Sequence, residues 1–402
     1  MTASTHAPPA SRLYFLDALR IAAFALLVLY HVGMYYVSWP WHVKSALAST
    51  TLEPWMRLSS PWRLSLLFLL SGVATSYMLR RDGASGALLR ARSLRLFLPV
   101  LLGMVIVVPP QAYFEVRQFH AYHGSFVDFM RLYFASYGGF CTADRGCLQL
   151  PTWNHLWFVV YLLVYTVGLW LLVRLWPALP AQAGAALWRA LAGARLWWLP
   201  VSVLAALRIA LLDRYPPTHA LVNDAYLHAC YFGLFCIGAA MARVNAPWPR
   251  IERVRWISLA LALAGWLAMV AFPWLDAMWG MAMARAAART GFATMQWCGV
   301  LAALGFAHRH WNRDFAWRAT LTEAVFPVYL VHQTLIIGLA VALAPLAWPM
   351  SLEGPLLVAG TFALSFGCYA IVRHVAPLRP WFGLARRRAL PATLTAAPEA
   401  LR

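Results

Sequence analysis

The chain has 402 residues, of which 62% are hydrophobic and 12% charged, against about 25% charged in an ordinary soluble domain. That balance excludes a water-soluble globular fold. The net charge of +19, from 33 Lys+Arg and 14 Asp+Glu, would suit nucleic acid, but the basic residues punctuate apolar runs instead of forming one stripe with a recognition motif, so that class is excluded too.

Taken in chain order, residues 1–12 (Ala, Pro, Ser, Thr) read as a disordered tail. Ten apolar stretches follow, each near the ~20 residues that a spanning helix needs: 13–37, 61–79, 97–114, 153–173, 196–212, 225–242, 256–275, 287–307, 321–345 and 355–377. They lack the alternation of barrel strands. The first has neither a basic n-region nor an A-x-A-like site, so it is not a cleaved signal. The expected fold is an all-α polytopic membrane protein of about ten helices, forming one domain over 13–380 with a basic tail at 381–402. With the N-terminus placed in the cytoplasm, 21 of the 33 basic residues fall in inside segments and 9 in outside ones. That bias puts both termini inside and fits multi-pass residence in a bacterial inner membrane. Cys141 and Cys147 share the longest outside loop, where an oxidising compartment permits a disulfide. No Cys/His spacing suggests a metal site.

Ionisable groups inside a span are costly, so each is a functional candidate. The first span holds Asp17, Arg20 and His31. At about 100° per residue, all three share one face, with Arg20 and His31 about 16 Å apart along the axis. Asp17 and Arg20 read as an i,i+3 ion pair. A neutral imidazole such as His31 can take a proton from a hydroxyl. The second span carries Ser71-Gly72, which permits close helix packing or contributes to a site, and ends in Arg80-Arg81. The next inside loop holds Arg90, Arg92 and Arg95. On a short helix, Arg92 and Arg95 face one side and suit phosphate oxygens, although the positive-inside rule alone also places arginines here. His155 opens the fourth span. Glu323, Tyr329 and His332 lie on the ninth, where Pro327 can kink the helix.

In order along the chain, these residues resemble the membrane acyltransferase-3 family. Leu16-Asp17-Ala18-Leu19-Arg20 with His31 resembles its first helix, and Phe68-Leu69-Leu70-Ser71-Gly72 its second-helix motif, departing at Val73. Arg92-Ser93-Leu94-Arg95 resembles its R-x-x-R. His155-Leu156-Trp157-Phe158 and Tyr329-Leu330-Val331-His332 resemble its later signatures. The overall run looks most like the branch that includes the periplasmic-glucan succinyltransferase. The resemblance implies transfer of an acetyl, succinyl or similar group from cytosolic acyl-CoA (acetyl-CoA or succinyl-CoA) to a hydroxyl of an extracytoplasmic carbohydrate or glycan. Membrane lipids are the remaining partner; neither nucleic acid nor metal is implied. Arg92 and Arg95, with Arg80, Arg81, Arg90 and Ser71, are the expected donor-binding residues. His31, Arg20, Asp17, His332, Tyr329, His155 and Glu323 are the expected catalytic set. His31 would deprotonate the acceptor or carry the acyl group transiently. Arg20, Tyr329 or a loop amide would stabilise the oxyanion. The competing class, a transporter or flippase, also fits many helices with buried charges; a scaffold or sensor without chemistry is the third.

Overall fold

The structure, a computed structural model, describes residues 13–244 and 247–386. The tail expected at 1–12, and most of the basic segment expected at 381–402, lie outside them. In chain order the helices are α1 Tyr14–Tyr36, α2 Glu53–Met56, α3 Ser60–Asp82, α4 Gly86–Leu102, α5 Pro109–Phe119, α6 Phe126–Phe134, α7 Trp157–Leu175 and α8 Leu179–Ala190. Then come α9 Arg195–Leu211, α10 Ala225–Met241, α11 Pro247–Arg253, α12 Arg255–Val270, α13 Phe272–Trp279, α14 Met281–Trp311, α15 Arg318–Leu343 and α16 Met350–His374. Strand pairing among the described residues is confined to a short hairpin, Cys141–Thr142 against Gly146–Cys147. A Cys141–Cys147 disulfide, which the sequence permitted but did not decide, closes it.

Every apolar stretch predicted from sequence lies on a helix, and the architecture is that of an all-α, multi-helix membrane protein. The spans are less uniform than the sequence suggested. Among the described residues, six helices are long and apolar enough to cross a membrane, or nine if each bent pair counts once. The bends are 42° where α4 meets α5, 106° between α8 and α9, and 62° between α11 and α12. The remaining stretch, α10, is shorter, at 17 residues. Arg92 and Arg95 also sit differently from expectation. They lie on the second and third turns of α4 itself, which runs unbroken into the apolar segment, and not on a separate loop helix.

Helices in an apolar solvent gain little from burying apolar surface, so they associate by close backbone approach and polar contacts. α3 and α10 show this directly. A Cβ built on Gly72 would stand 1.9 Å from the Phe235 carbonyl oxygen, and one on Gly238 would stand 2.0 Å from that of Leu69. Ser71-Gly72 therefore serves helix packing. α12 runs along α14, and α15 packs on both α1 and α16. The last two contacts bring the polar residues of α1 and α15 together.

Gly238→Leu should force α3 and α10 apart, at a cost in the ~1–3 kcal/mol range of overpacking or above it. Thermal unfolding in detergent, followed by tryptophan fluorescence, should show a lowered midpoint. Gly233→Ala on the same helix, with open space at its Cβ, should leave the midpoint unchanged.

Candidate active site

α1 and α15 meet at two histidines 301 residues apart in sequence. His31 Nδ1 and His332 Nε2 are 2.7 Å apart, with ring planes within 7° of each other. His332 is fully buried, and its Nδ1 lies 2.6 Å from the Tyr329 carbonyl oxygen. These contacts assign the protons. A carbonyl can only accept, so His332 Nδ1 carries hydrogen. Neutral His332 then presents a lone pair at Nε2, and His31 Nδ1–H donates to it. His31 Nε2 is left with a free lone pair.

His31 lines a cavity of about 810 Å³ shared by α1, α3, α5, α7, α9, α10, α14 and α15. His155 borders it too, but both of its ring nitrogens are engaged. Nε2 donates to the Leu330 carbonyl at 3.1 Å, and Nδ1 accepts from Gln111 Nε2 at 3.4 Å. The Tyr329 hydroxyl donates to the His155 carbonyl at 2.5 Å. The geometry therefore gives Tyr329 and His155 positioning contacts, and the Tyr329 hydroxyl has no second proton for an oxyanion.

The approach of α5 to this cluster depends on the end of α4. Residues Gly103–Val107 form a π turn, a local widening that inserts one extra residue. A Cβ on Gly103 would meet Leu156 Cδ1 at 2.0 Å, so a larger residue there would have to displace the buried Leu156 side chain. Carbonyls loosened by the turn find side-chain donors: the Tyr133 hydroxyl at Met104, 2.9 Å, and the Thr334 hydroxyl at Val107, 2.6 Å. α5 then delivers Gln111, which is fully buried. Its Oε1 accepts from Asn154 Nδ2 at 3.1 Å and from Gln333 Nε2 at 3.0 Å. Its Nε2 donates to the Thr334 hydroxyl at 2.7 Å.

Around the cavity mouth, His42 Nδ1 pairs with Glu115 Oε2 at 2.5 Å. Lys44 Nζ donates to the Met34 carbonyl at 2.6 Å; burial and the nearby Arg145 charge push its ammonium pKa down to about 8. His219, stacked on Trp157 at 4.4 Å, is held below the ordinary imidazole value by burial, against the opposing pull of Asp224.

The other end of α1 is built from arginines. Arg92 feels the charges of Arg95 and Arg20, and Arg20 those of Asp17 and Arg95. Arg92 Nε is buried without a hydrogen-bond partner, and Arg95 Nε donates to the Gly383 carbonyl at 2.7 Å. The nearby carboxylates are engaged elsewhere. Asp17 bonds Arg318 at 3.1 Å, and Glu323 bonds Arg379 at 2.9 Å and the Tyr369 hydroxyl at 2.8 Å. The expected Asp17–Arg20 ion pair is thus not formed. Arg318 reaches Asp17 from the first turn of α15 and takes the close contact, leaving Asp17 to act on Arg20 at longer range. This end gathers three guanidiniums, with Asp17 acting on Arg20 and Glu323 on Arg95 while both carboxylates are shared with Arg318 and Arg379.

The acyltransferase-domain family model matches residues 13–370, from α1 into α16. The chain belongs to this acyltransferase family. It is similar to the glucans biosynthesis protein C of Escherichia coli strain K12, at 25% identity over 346 residues, covering 84% of this chain and 85% of that one. The same figures hold for the protein of that name from E. coli O9:H4 strain HS. No solved structure matches. The chain is accordingly an acyltransferase enzyme, and its reaction requires an acyl donor.

The remaining predicted residues fall outside both clusters or at their edges. Glu323 ties α15 to α16 and to the segment after it. Ser71 stands beside the Gly72 packing contact. Arg80 donates to the Ala242 carbonyl at 3.2 Å, Arg81 pairs with Asp82 at 2.7 Å, and Arg90 is exposed. Sequence reasoning overlooked Arg63, Gln111 and Arg318. Two were findable: Arg63 and Gln111 both lie within predicted spans, where a polar side chain is itself the signal. Among the described residues, no group of three or more His, Cys, Asp or Glu is placed to hold a metal ion.

Gln111→Leu should leave buried groups of Asn154, Gln333 and Thr334 unsatisfied at ~1–3 kcal/mol each. The expected outcome is a clearly lowered unfolding midpoint in detergent, larger than that of an exposed substitution such as Arg90→Gln.

Proposed function

We propose that the enzyme transfers an acyl group from cytosolic acyl-CoA to a hydroxyl of an extracytoplasmic carbohydrate, with a glucan as the favoured acceptor. The observation that carries this reading is the chain from the Tyr329 carbonyl through His332 to His31, ending in a free Nε2 lone pair on a roomy cavity. The names of the E. coli relatives support a glucan, and the 810 Å³ cavity suits a sugar-sized acceptor. The domain is assigned to residues 13–380, with the arginine end facing the cytoplasm of a bacterial inner membrane and the His31 cavity opening on the opposite side.

Arg92, Arg95 and Arg20 would bind the CoA phosphates, because a cluster of partner-poor guanidiniums is an oxyanion receptor. Arg80, Arg81 and Arg90 are assigned a long-range attractive role. The pantetheine arm brings the thioester to His31. His31 Nε2 takes the acceptor proton as the hydroxyl oxygen attacks the thioester carbon. Collapse of the tetrahedral intermediate breaks the C–S bond, and the imidazolium returns its proton to the CoA sulfur. His332 acts through His31. It accepts the Nδ1–H bond, and that bond strengthens as His31 becomes cationic.

His31→Ala should lower kcat by about 10²–10⁴-fold, the range for losing a general base, while donor binding persists. Labelled acyl-CoA incubated with membranes and glucan measures it; full transfer by the variant would refute the reading. The double variant Arg92→Ala, Arg95→Ala should raise the donor KM by roughly 100-fold, in line with two lost charge-assisted contacts, with a smaller change in kcat. An unchanged donor KM would remove the donor-site assignment.

A further inference from the structure

The His31 cavity is lined by three arginines that the proposed reaction does not use; Arg145 is engaged by the Trp41 carbonyl and Asp144, which leaves two. Arg63, on the first turn of α3, is 3% exposed. Its guanidinium lies 3.6 Å from the centroid of the Tyr30 ring, and Tyr30 directly precedes His31. The guanidinium donates to the Ser59 hydroxyl at 3.2 Å and also interacts with the Tyr30 side chain, while Nε is buried without a partner. Arg208, from α9, reaches the same cavity. Its guanidinium lies 3.5 Å from the centre of the Phe292 ring, and Nη1 donates to the Tyr226 hydroxyl at 2.6 Å. Its Nε is likewise buried and unpartnered.

The carboxylates of the cavity do not neutralise this pair. Glu115 is held by His42, and Asp144 lies 3.9 Å from Arg145. Among the described residues, no ion pair involves Arg63 or Arg208. Two cations held by aromatic faces and hydroxyls, each with an unmet donor, are costly to keep out of water. The cost is recovered when an anion enters. A planar guanidinium with free N–H groups is matched to a carboxylate or phosphate. The cavity that both arginines line supplies room for such a group, and a side pocket of about 310 Å³ extends from Arg208 past Tyr30 to Arg57.

We propose that Arg63 and Arg208 form an oxyanion-binding subsite beside His31, which reads a carboxylate or phosphate carried by one of the enzyme's two substrates. The subsite rests on the assignment of the His31 cavity as the reaction chamber, and it adds a specificity element. A substrate bearing the anion is held with its reacting group at His31. A neutral analogue leaves a buried and a half-buried cation without an anion, the arrangement that rejects analogues most strongly.

Two comparisons distinguish the source of the anion, using the full-length protein in detergent or nanodiscs. The first pairs succinyl-CoA with butyryl-CoA on a neutral glucan oligosaccharide. The second holds the donor fixed and pairs a phosphate-substituted oligosaccharide with its unsubstituted parent. In wild type, one of the two charged-to-neutral ratios of kcat/KM should exceed one. In Arg63→Gln and in Arg208→Gln that ratio should fall by about 10- to 100-fold, the range for one charge-assisted contact, and Arg208→Lys should recover part of it. The ratio is internal to each preparation, so a loss of folded protein does not move it. A fall in the donor ratio assigns the subsite to the acyl group, and a fall in the acceptor ratio assigns it to the sugar. If neither ratio changes in either variant, the subsite is refuted. A parallel readout separates this failure from failure of the acyl-transfer reading. Free succinate and inorganic phosphate should quench the fluorescence of Trp153 or Trp157 in wild type, and quenching should weaken at least ten-fold in Arg208→Gln. Should wild type transfer no acyl group at all, that titration still decides the subsite: saturable, Arg208-dependent quenching upholds it, and its absence overturns it.

Discussion

A backbone carbonyl cannot donate a hydrogen bond, and the chemistry of the His31 cavity follows from that restriction. The Tyr329 carbonyl obliges His332 to keep its proton on Nδ1. The order then passes to His31, whose Nδ1 must donate. The free lone pair at His31 Nε2 is thus fixed by an atom two hydrogen bonds away. Serine hydrolases achieve the same control with a carboxylate behind the histidine. Here a neutral imidazole backed by a peptide group does it, which spares the apolar interior a buried negative charge.

Charge is distributed along the molecule with a similar economy. Asp17 and Glu323 are engaged by Arg318 and Arg379, arginines that tie helix ends together. Arg92 on α4 keeps a buried Nε without a partner. The same division holds at the His31 end, where Glu115 has His42 and Arg63 has none. In an interior this poor in water, a cation left without a partner is a costly arrangement that architecture alone does not explain.

Much of this was legible in the sequence because a helix is a local object. The 11-residue interval from Arg20 to His31 and the 3-residue interval from Tyr329 to His332 fix shared faces from periodicity alone. The apolar runs likewise mark every long helix, with edges displaced by a few residues. What periodicity cannot supply is which face meets which. His31 and His332 are 301 residues apart, as are Asp17 and Arg318, and nothing local in either segment names its partner. The Asp17–Arg20 expectation failed for the same reason: a nearby residue was chosen where a distant one wins. Gln111 was lost differently. It was absorbed into an apolar run, although a fully buried amide in such a run has to be satisfied by something.

The π turn at Gly103–Val107 gives that run a further property. One surplus residue rotates all that follows by about 100°, and that rotation turns Gln111 toward Asn154, His155 and Thr334. The stretch before it looks like interchangeable apolar filler. Its exposed apolar positions, such as Phe97 and Ile106, can drift with little effect. Its length cannot. Removing a single residue there would leave hydropathy and helicity almost untouched and swing the whole polar face of α5 away from the histidines. This is a counting constraint, which only a comparison of segment lengths would reveal.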